Sequence, residues 1–189
     1  MRITGGFLKN QSLKTPKGDK TRPTSEKLRQ SVFNIAQAYV EDCLFLDLYA
    51  GSGAMGIEAL SRGAKEATFI EKDRSALKAL RENLNELDLS PLSTLLAGDV
   101  LLLLKKLKGK SFNLIYIDPP YEQGLQEKTL VLIDKLHLLH IGGLLFVEES
   151  SQNELAIPSL TTMDLQKKRK VGSTFLYQFQ GIAKTLRGK

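Results

Sequence analysis

From residue 44 onward the chain alternates short apolar runs with amphipathic stretches. Leu44-Phe45-Leu46-Asp47-Leu48 reads as a buried strand, followed by glycines and a helix from about Ala54 to Arg62, with Gly63 placed to stop it. Ala67-Thr68-Phe69-Ile70-Glu71 reads as a second strand. A helix over about Asp73 to Leu87 carries Leu77, Leu80, Leu84 and Leu87 at three- and four-residue spacing, the mark of one buried face. Residues 93–97, 113–118 and 143–148 read as the third, fourth and fifth strands, with a leucine-rich helix over 125–139 before the last.

The two ends differ from this middle. The first 23 residues are polar and broken by Gly5, Gly6, Pro16, Gly18 and Pro23, so they read as short strands or turns. A helix then starts at Thr24, with Leu28, Val32, Phe33, Ile35 and Ala36 on one face. Residues 163–168 and 174–179 alternate like half-exposed strands joined near Val171-Gly172-Ser173, which predicts a hairpin. The whole pattern predicts one α/β domain over 1–189. Its sheet is mostly parallel and doubly wound, with helices on both faces and a C-terminal antiparallel hairpin. Ligands on such sheets bind at the carboxyl ends of the strands.

Composition narrows the class. At 189 residues the chain can build a core without disulfides or metal, and its one cysteine, Cys43, cannot form an internal bridge. No apolar run near Met1 suits a signal peptide and none approaches a membrane span, so a soluble cytoplasmic protein is expected. His137 and His140 lack a partnered carboxylate or cysteine, and no metal is expected. The formal charge of +6 is unevenly spread. Residues 1–30 hold eight basic and two acidic side chains, residues 163–189 seven and one, and the stretch between twelve and eighteen. Basic ends around an acidic body point to a polyanionic partner.

The strand ends carry the chemistry. After the first strand, Gly51, Gly53 and Gly56 match the G-x-G-x-x-G fingerprint, and Glu71 follows twenty residues after Gly51, where a carboxylate can accept ribose hydroxyls. Asp47, four residues ahead of Gly51, would oppose a pyrophosphate but suits a cofactor with a cationic amino-acid end, such as S-adenosylmethionine. Asp99 is placed to accept from an adenine amino group. Each of these acids has an alternative use as a helix N-cap.

The fourth strand ends in Asp118-Pro119-Pro120-Tyr121. Two prolines fix the backbone and remove two donors, so the Asp118 carboxylate and the Pro119 carbonyl can both face one external amino group. Gripping the hydrogens of a base amine orients its lone pair toward a methyl donor. Tyr121 offers a ring on which an extruded base can stack.

These residues resemble class I adenosylmethionine-dependent methyltransferases acting on amino nitrogens, and more closely the bacterial small-subunit ribosomal RNA guanine-N2 methyltransferases (RsmD type). Arg2-Ile3-Thr4-Gly5-Gly6, Thr21-Arg22-Pro23-Thr24, Leu28-Arg29, Val32-Phe33-Asn34, the run Asp47–Gly53 and the helix Gly56–Ala64 carry the resemblance, which ends at Gly172-Ser173-Thr174. Gln30, in place of a glutamate, and Val171, in place of an aromatic, depart from that family's pattern.

The resemblance implies a Rossmann-like seven-stranded fold and methyl transfer from S-adenosyl-L-methionine to N2 of one guanine in 16S rRNA of the assembled or assembling small subunit, by a monomer. It implies a cofactor site of Asp47, Tyr49, Ala50, Gly51, Ser52, Gly53, Glu71, Lys72, Asp99 and Val100. Asp118, Pro119, Pro120 and Tyr121 would be catalytic, and Lys17, Arg22, Thr24, Lys168, Arg169 and Lys170 would meet RNA. A DNA or protein amino methyltransferase, a nicotinamide-dependent oxidoreductase and a non-catalytic assembly factor remain as alternatives.

Overall fold

The computed structural model describes residues 1–16, 26–120 and 124–184. Its helices are α1 (Glu26–Ile35), α2 (Ala54–Ser61), α3 (Arg74–Glu86), α4 (Val100–Leu103) and α5 (Leu125–Leu136). Its strands are β1 (Leu44–Leu48), β2 (Glu66–Glu71), β3 (Ser93–Ala97), β4 (Phe112–Ile117), β5 (Leu139–Ser150), β6 (Met163–Val171) and β7 (Thr174–Gly181). All seven strands form one sheet in the order β3-β2-β1-β4-β5-β7-β6. The first five run parallel, and β7 runs antiparallel between β5 and β6. The predicted sheet and closing hairpin are both present.

Strand side chains alternate between two buried layers, as a sheet covered on both faces requires. Phe45, Phe69, Leu114, Tyr116, Leu144 and Phe146 face a layer completed by α1, α2 and α3. Leu46, Leu48, Ile70, Ile115, Ile117, Leu145 and Val147 face the opposite layer, completed by α4 and α5. The leucine run at 101–104, read as no element from the pattern, supplies α4 and the start of a 3-10 turn over Leu104–Leu107. That segment buries Val100, Leu104 and Leu107 in the second layer.

One boundary is corrected. The helix predicted over 125–139 ends at Leu136, because His137 adopts φ 55° and ψ 43° in the left-handed region and stops it. Leu139 already pairs with Phe112, so β5 begins four residues before the predicted Gly143. Its ladder with β4 is irregular between Phe112 and Leu114, which lets β5 reach back past the break.

The N-terminal segment folds onto the first layer. Arg2 and Ser12 form an isolated antiparallel bridge, and Ile3 and Leu13 are buried beside α1 and α2. The helix expected from Thr24 is seen from Glu26, since residues 17–25 lie outside the described part.

Candidate functional site

The carboxyl ends of β1, β2, β4 and β5 lie along one edge of the sheet. Asp47 and Glu71 share the strand parity of Phe45 and Phe69, and Glu148 that of Phe146, so all three carboxyls belong to the α1–α3 side. Asp118 follows Ile117 by one position on the strand between β1 and β5. The acids read from the sequence at the ends of β1, β2 and β4 therefore come together at one edge.

The glycine turn between β1 and α2 is organised by two of these acids. Gly53 occupies the N-cap of α2 and has no side chain with which to cap it. Asp47 takes that place from the strand, its Oδ2 accepting the Gly56 N–H at 2.8 Å. Asp47 is 2% exposed, and burial pushes its pKa up to about 8, against the opposing Gly56 N–H and with a smaller upward push from Glu71. Glu71 holds the other end of the turn. Its Oε2 accepts the Gly51 N–H at 2.8 Å, and its Oε1 accepts from the amides of Lys72 and Asp73, both at 2.7 Å.

The fingerprint glycines divide their work. Gly51 has φ +57°, and a Cβ there would meet nothing within 4 Å, so the turn faces open space at that point. A Cβ on Gly56 would come within 2.2 Å of the Phe69 ring, so this glycine serves the close approach of α2 to β2. The N-terminus of α2, where a dinucleotide fold would seat a pyrophosphate, is already held by a carboxyl.

The other expected cofactor residues lie in this turn and at the ends of β2 and β3. Ala50 donates its N–H to the Ile70 carbonyl at 3.1 Å, and Ser52 is buried. Tyr49 has φ 59°, and its hydroxyl lies 2.9 Å from Thr129 Oγ1 of α5. Asp99 caps α4, accepting from the Leu102 N–H at 3.1 Å, and Val100 is buried behind it. Lys72 is exposed beyond Glu71. Asn83 of α3, which carried no signal in the sequence, donates to the Ser52 carbonyl and to that of Lys14, both at 3.0 Å. It thereby joins the N-terminal segment to the glycine turn.

At the end of β4, Pro119 is buried, Pro120 is exposed and Asp118 is partly buried. Tyr121 lies outside the described residues. Behind the turn, fully buried Tyr116 donates its hydroxyl to Glu148 Oε2 at 2.7 Å. Burial raises the Tyr116 pKa well above the usual phenol value, and the charges of Glu148, Asp118 and Asp47 add to that rise. Three carboxyls thus stand near one buried hydroxyl. Tyr116 and its bond to Glu148 were invisible in the sequence, because cross-strand register cannot be read from it.

Of the residues expected to meet RNA, Lys17, Arg22 and Thr24 lie outside the described residues. Lys168, Arg169 and Lys170 lie on the outer strand β6, near a hairpin turn that pairs through Thr174 with Ser150 at the site's edge. Two other basic residues of the N-terminal thirty are already engaged. Arg29 is buried against Glu58 at 3.0 Å, and Lys14 pairs with Glu82 at 3.2 Å and with Glu86. Cavities of about 230 and 420 Å³ open at the opposite edge of the sheet, the second lined by His137 and His140. No cofactor acid borders either.

The family model described as conserved hypothetical protein 95 matches residues 1–180. The Bacillus subtilis chain YlbH is 36% identical over 172 residues, 90% of this chain and 92% of that one. Ribosomal RNA small subunit methyltransferase D of Escherichia coli K12 is 34% identical over 179 residues, 94% of this chain and 89% of that one. Among solved structures, the Escherichia coli chain yhhF superposes with a TM-score of 0.84 at 31% identity, covering 97% of this chain and 99% of that one.

Proposed function

We propose, for a chain that belongs to the RsmD-type family of class I S-adenosylmethionine-dependent methyltransferases, that it methylates 16S rRNA of the small ribosomal subunit at the exocyclic N2 amine of one guanine. The observation that carries this reading is the Asp118-Pro119-Pro120 turn at the end of β4, beside the Asp47 and Gly51 turn of β1.

The chain's own groups fit the cofactor. Glu71 holds the Gly51 end of the turn, where the backbone faces open space, and Asp47 holds its Gly56 end, an acceptor pair suited to a ribose and a cationic amino-acid end. Asp47, already drawn toward the neutral form by burial, has most to gain from an ammonium partner. In this reading Asp99, Val100 and Lys72 meet the adenosine end. When bound, the cofactor supplies an electrophilic methyl group on a sulfonium centre.

The remaining work falls to the β4 turn. The Asp118 carboxylate and the Pro119 carbonyl accept the two N2 hydrogens of the base and turn the nitrogen lone pair toward the methyl. Both acceptors then lower the energy of the positive charge that develops on nitrogen, and the Asp118 carboxylate takes up the surplus N2 proton. The target is best reached in a loop, where unstacking costs least.

Mapping guanine N2-methylation in ribosomal RNA from cells lacking the chain tests the substrate, and loss of one modified guanine is expected. Unchanged methylation there, together with methyl transfer to DNA or protein by the purified chain, would overturn it. Asp118→Ala should reduce transfer of labelled methyl groups by at least about 100-fold while adenosylmethionine affinity changes little. Full activity in that variant would remove Asp118 from the reaction.

A further inference from the structure

We infer that Glu148 reads the target base, accepting the N1–H of guanine beside the amine gripped by Asp118. This rests on the reaction proposed above and adds to it a residue that selects the base. An amine-gripping turn alone does not distinguish purines. Adenine presents one amine next to a bare ring acceptor, whereas guanine presents the N2 amine next to a second donor, N1–H. A second acceptor beside Asp118 attracts the guanine edge and repels the lone pair on adenine N1.

Glu148 is placed for this. Ile117 pairs with Val147, so Asp118 and Glu148 are the next positions on adjacent parallel strands, roughly 5 Å apart across the sheet. The side-chain position of Glu148 is fixed from behind by Tyr116, whose buried hydroxyl donates to Oε2 at 2.7 Å, while Thr174 Oγ1 lies 3.4 Å from Oε1. A carboxylate has about four acceptor positions, enough to be held by hydroxyls and still accept from a base. Glu148 is partly exposed at the edge where the base must enter, whereas its neighbour Glu149 is buried and receives Gln126 at 2.8 Å. The pair of hydroxyls behind Glu148 would have little use if it were only a solvated strand end.

The test compares small subunits reconstituted around ribosomal RNA that carries either guanine or 2-aminopurine at the methylated position. Both bases offer the N2 amine, but 2-aminopurine has an acceptor where guanine has N1–H. The wild-type chain is expected to prefer guanine by about 10- to 100-fold in kcat/KM. Glu148→Gln keeps an acceptor for Tyr116 and presents an amide donor to the base. It should lower the guanine rate by a similar factor, narrow or invert the preference, and leave adenosylmethionine affinity unchanged.

A preference unchanged in Glu148→Gln, or an equal loss on both substrates, overturns the assignment. Tyr116→Phe should narrow the preference part of the way, because Glu148 loses its anchor. If the wild-type chain methylates guanine N2 and these ratios do not move, Glu148 alone is excluded. If it methylates no guanine N2, the parent reading has failed.

Discussion

Asp47 combines two demands that a single carboxyl meets poorly. It caps α2 from inside the protein and, in the proposed reaction, must hold a cationic cofactor end. Its folded pKa of about 8 lies above the ordinary 3.8, so between roughly pH 4 and pH 8 the folded chain keeps a proton that the unfolded chain has lost. Stability from this group is therefore fully present below about pH 4 and lost as pH rises toward 8. Asp47→Asn, which can still accept the Gly56 N–H, should make the cofactor-free chain more stable at pH 7.5 by on the order of 1 kcal/mol or more, with a smaller gain at pH 5. Urea melts at the two pH values check this, and a variant weaker at pH 7.5 would contradict it. The same proton should be released when a cofactor ammonium pairs with Asp47. Calorimetry at pH 7 in buffers of different ionisation enthalpy should report about one proton released per adenosylmethionine bound, and none for the variant. The sequence made Asp47 and Glu71 visible as acids at strand ends. It hid their hold on the backbone amides of the glycine turn, which exists only once β1, β2 and α2 are assembled.

At the level of elements, residues that carry the family resemblance away from the strand ends are partners of one another. Glu58 of α2 is fully buried and receives the Thr4 N–H at 2.8 Å, Thr4 Oγ1 at 2.6 Å, Arg29 Nε of α1 at 3.0 Å and Arg62 Nε at 2.9 Å. The Arg29 guanidinium also donates to the Arg2 carbonyl. One carboxylate thus ties the N-terminal segment, α1 and α2 together, which a charge count along the chain had assigned in part to RNA. Breaking a buried pair from one side leaves an uncompensated charge, at a cost of about 3–5 kcal/mol. Glu58→Gln leaves Arg29, with no exposure to water, facing only neutral acceptors and should fall in that range. Arg29→Met should cost less, because Glu58 keeps Arg62 and Thr4. Urea midpoints for the two variants give the order, and the reverse ranking would show that Arg29 is not the dependent partner. Other limits of the sequence are equally physical. The 125–139 helix overran because nothing in the sequence marks His137 as left-handed, where glycine is the usual helix stop. The strands were legible because both faces are buried, which leaves continuous apolar runs.

Across the whole molecule, the basic stretch of β6 divides by strand parity, so its residues should differ in what they do. Arg169 pairs in register with Leu176, which pairs with Glu148, so it belongs to the side of the sheet that carries Asp47, Glu71 and Glu148. Three strand spacings separate it from Asp118, roughly 14 Å, a distance suited to a phosphate flanking the methylated base. Its guanidinium is positioned by a 2.7 Å bond to Gln178. Lys168 points to the other side, lies 4.2 Å from the Phe175 ring centroid and is paired with Glu154 at 2.7 Å. Residues 1–16 and α1 lie on the Arg169 side, where α1 packs against β6 and Val171 packs on the layer containing Ile3 and Leu13. Each cation that neutralises a phosphate adds about 0.9 to the slope of log affinity against log salt on duplex, and about 0.7 on single strands. Arg169→Gln should therefore weaken binding to small subunits and flatten the salt dependence by nearly one such step. Lys168→Gln should change the slope by much less, since its charge is already matched by Glu154. Binding titrations at several potassium chloride concentrations separate the two. Equal slopes for both variants would mean that RNA passes over both faces of β6, and that the edge shared by Asp118, Glu148 and Arg169 is not where the polyanion is held.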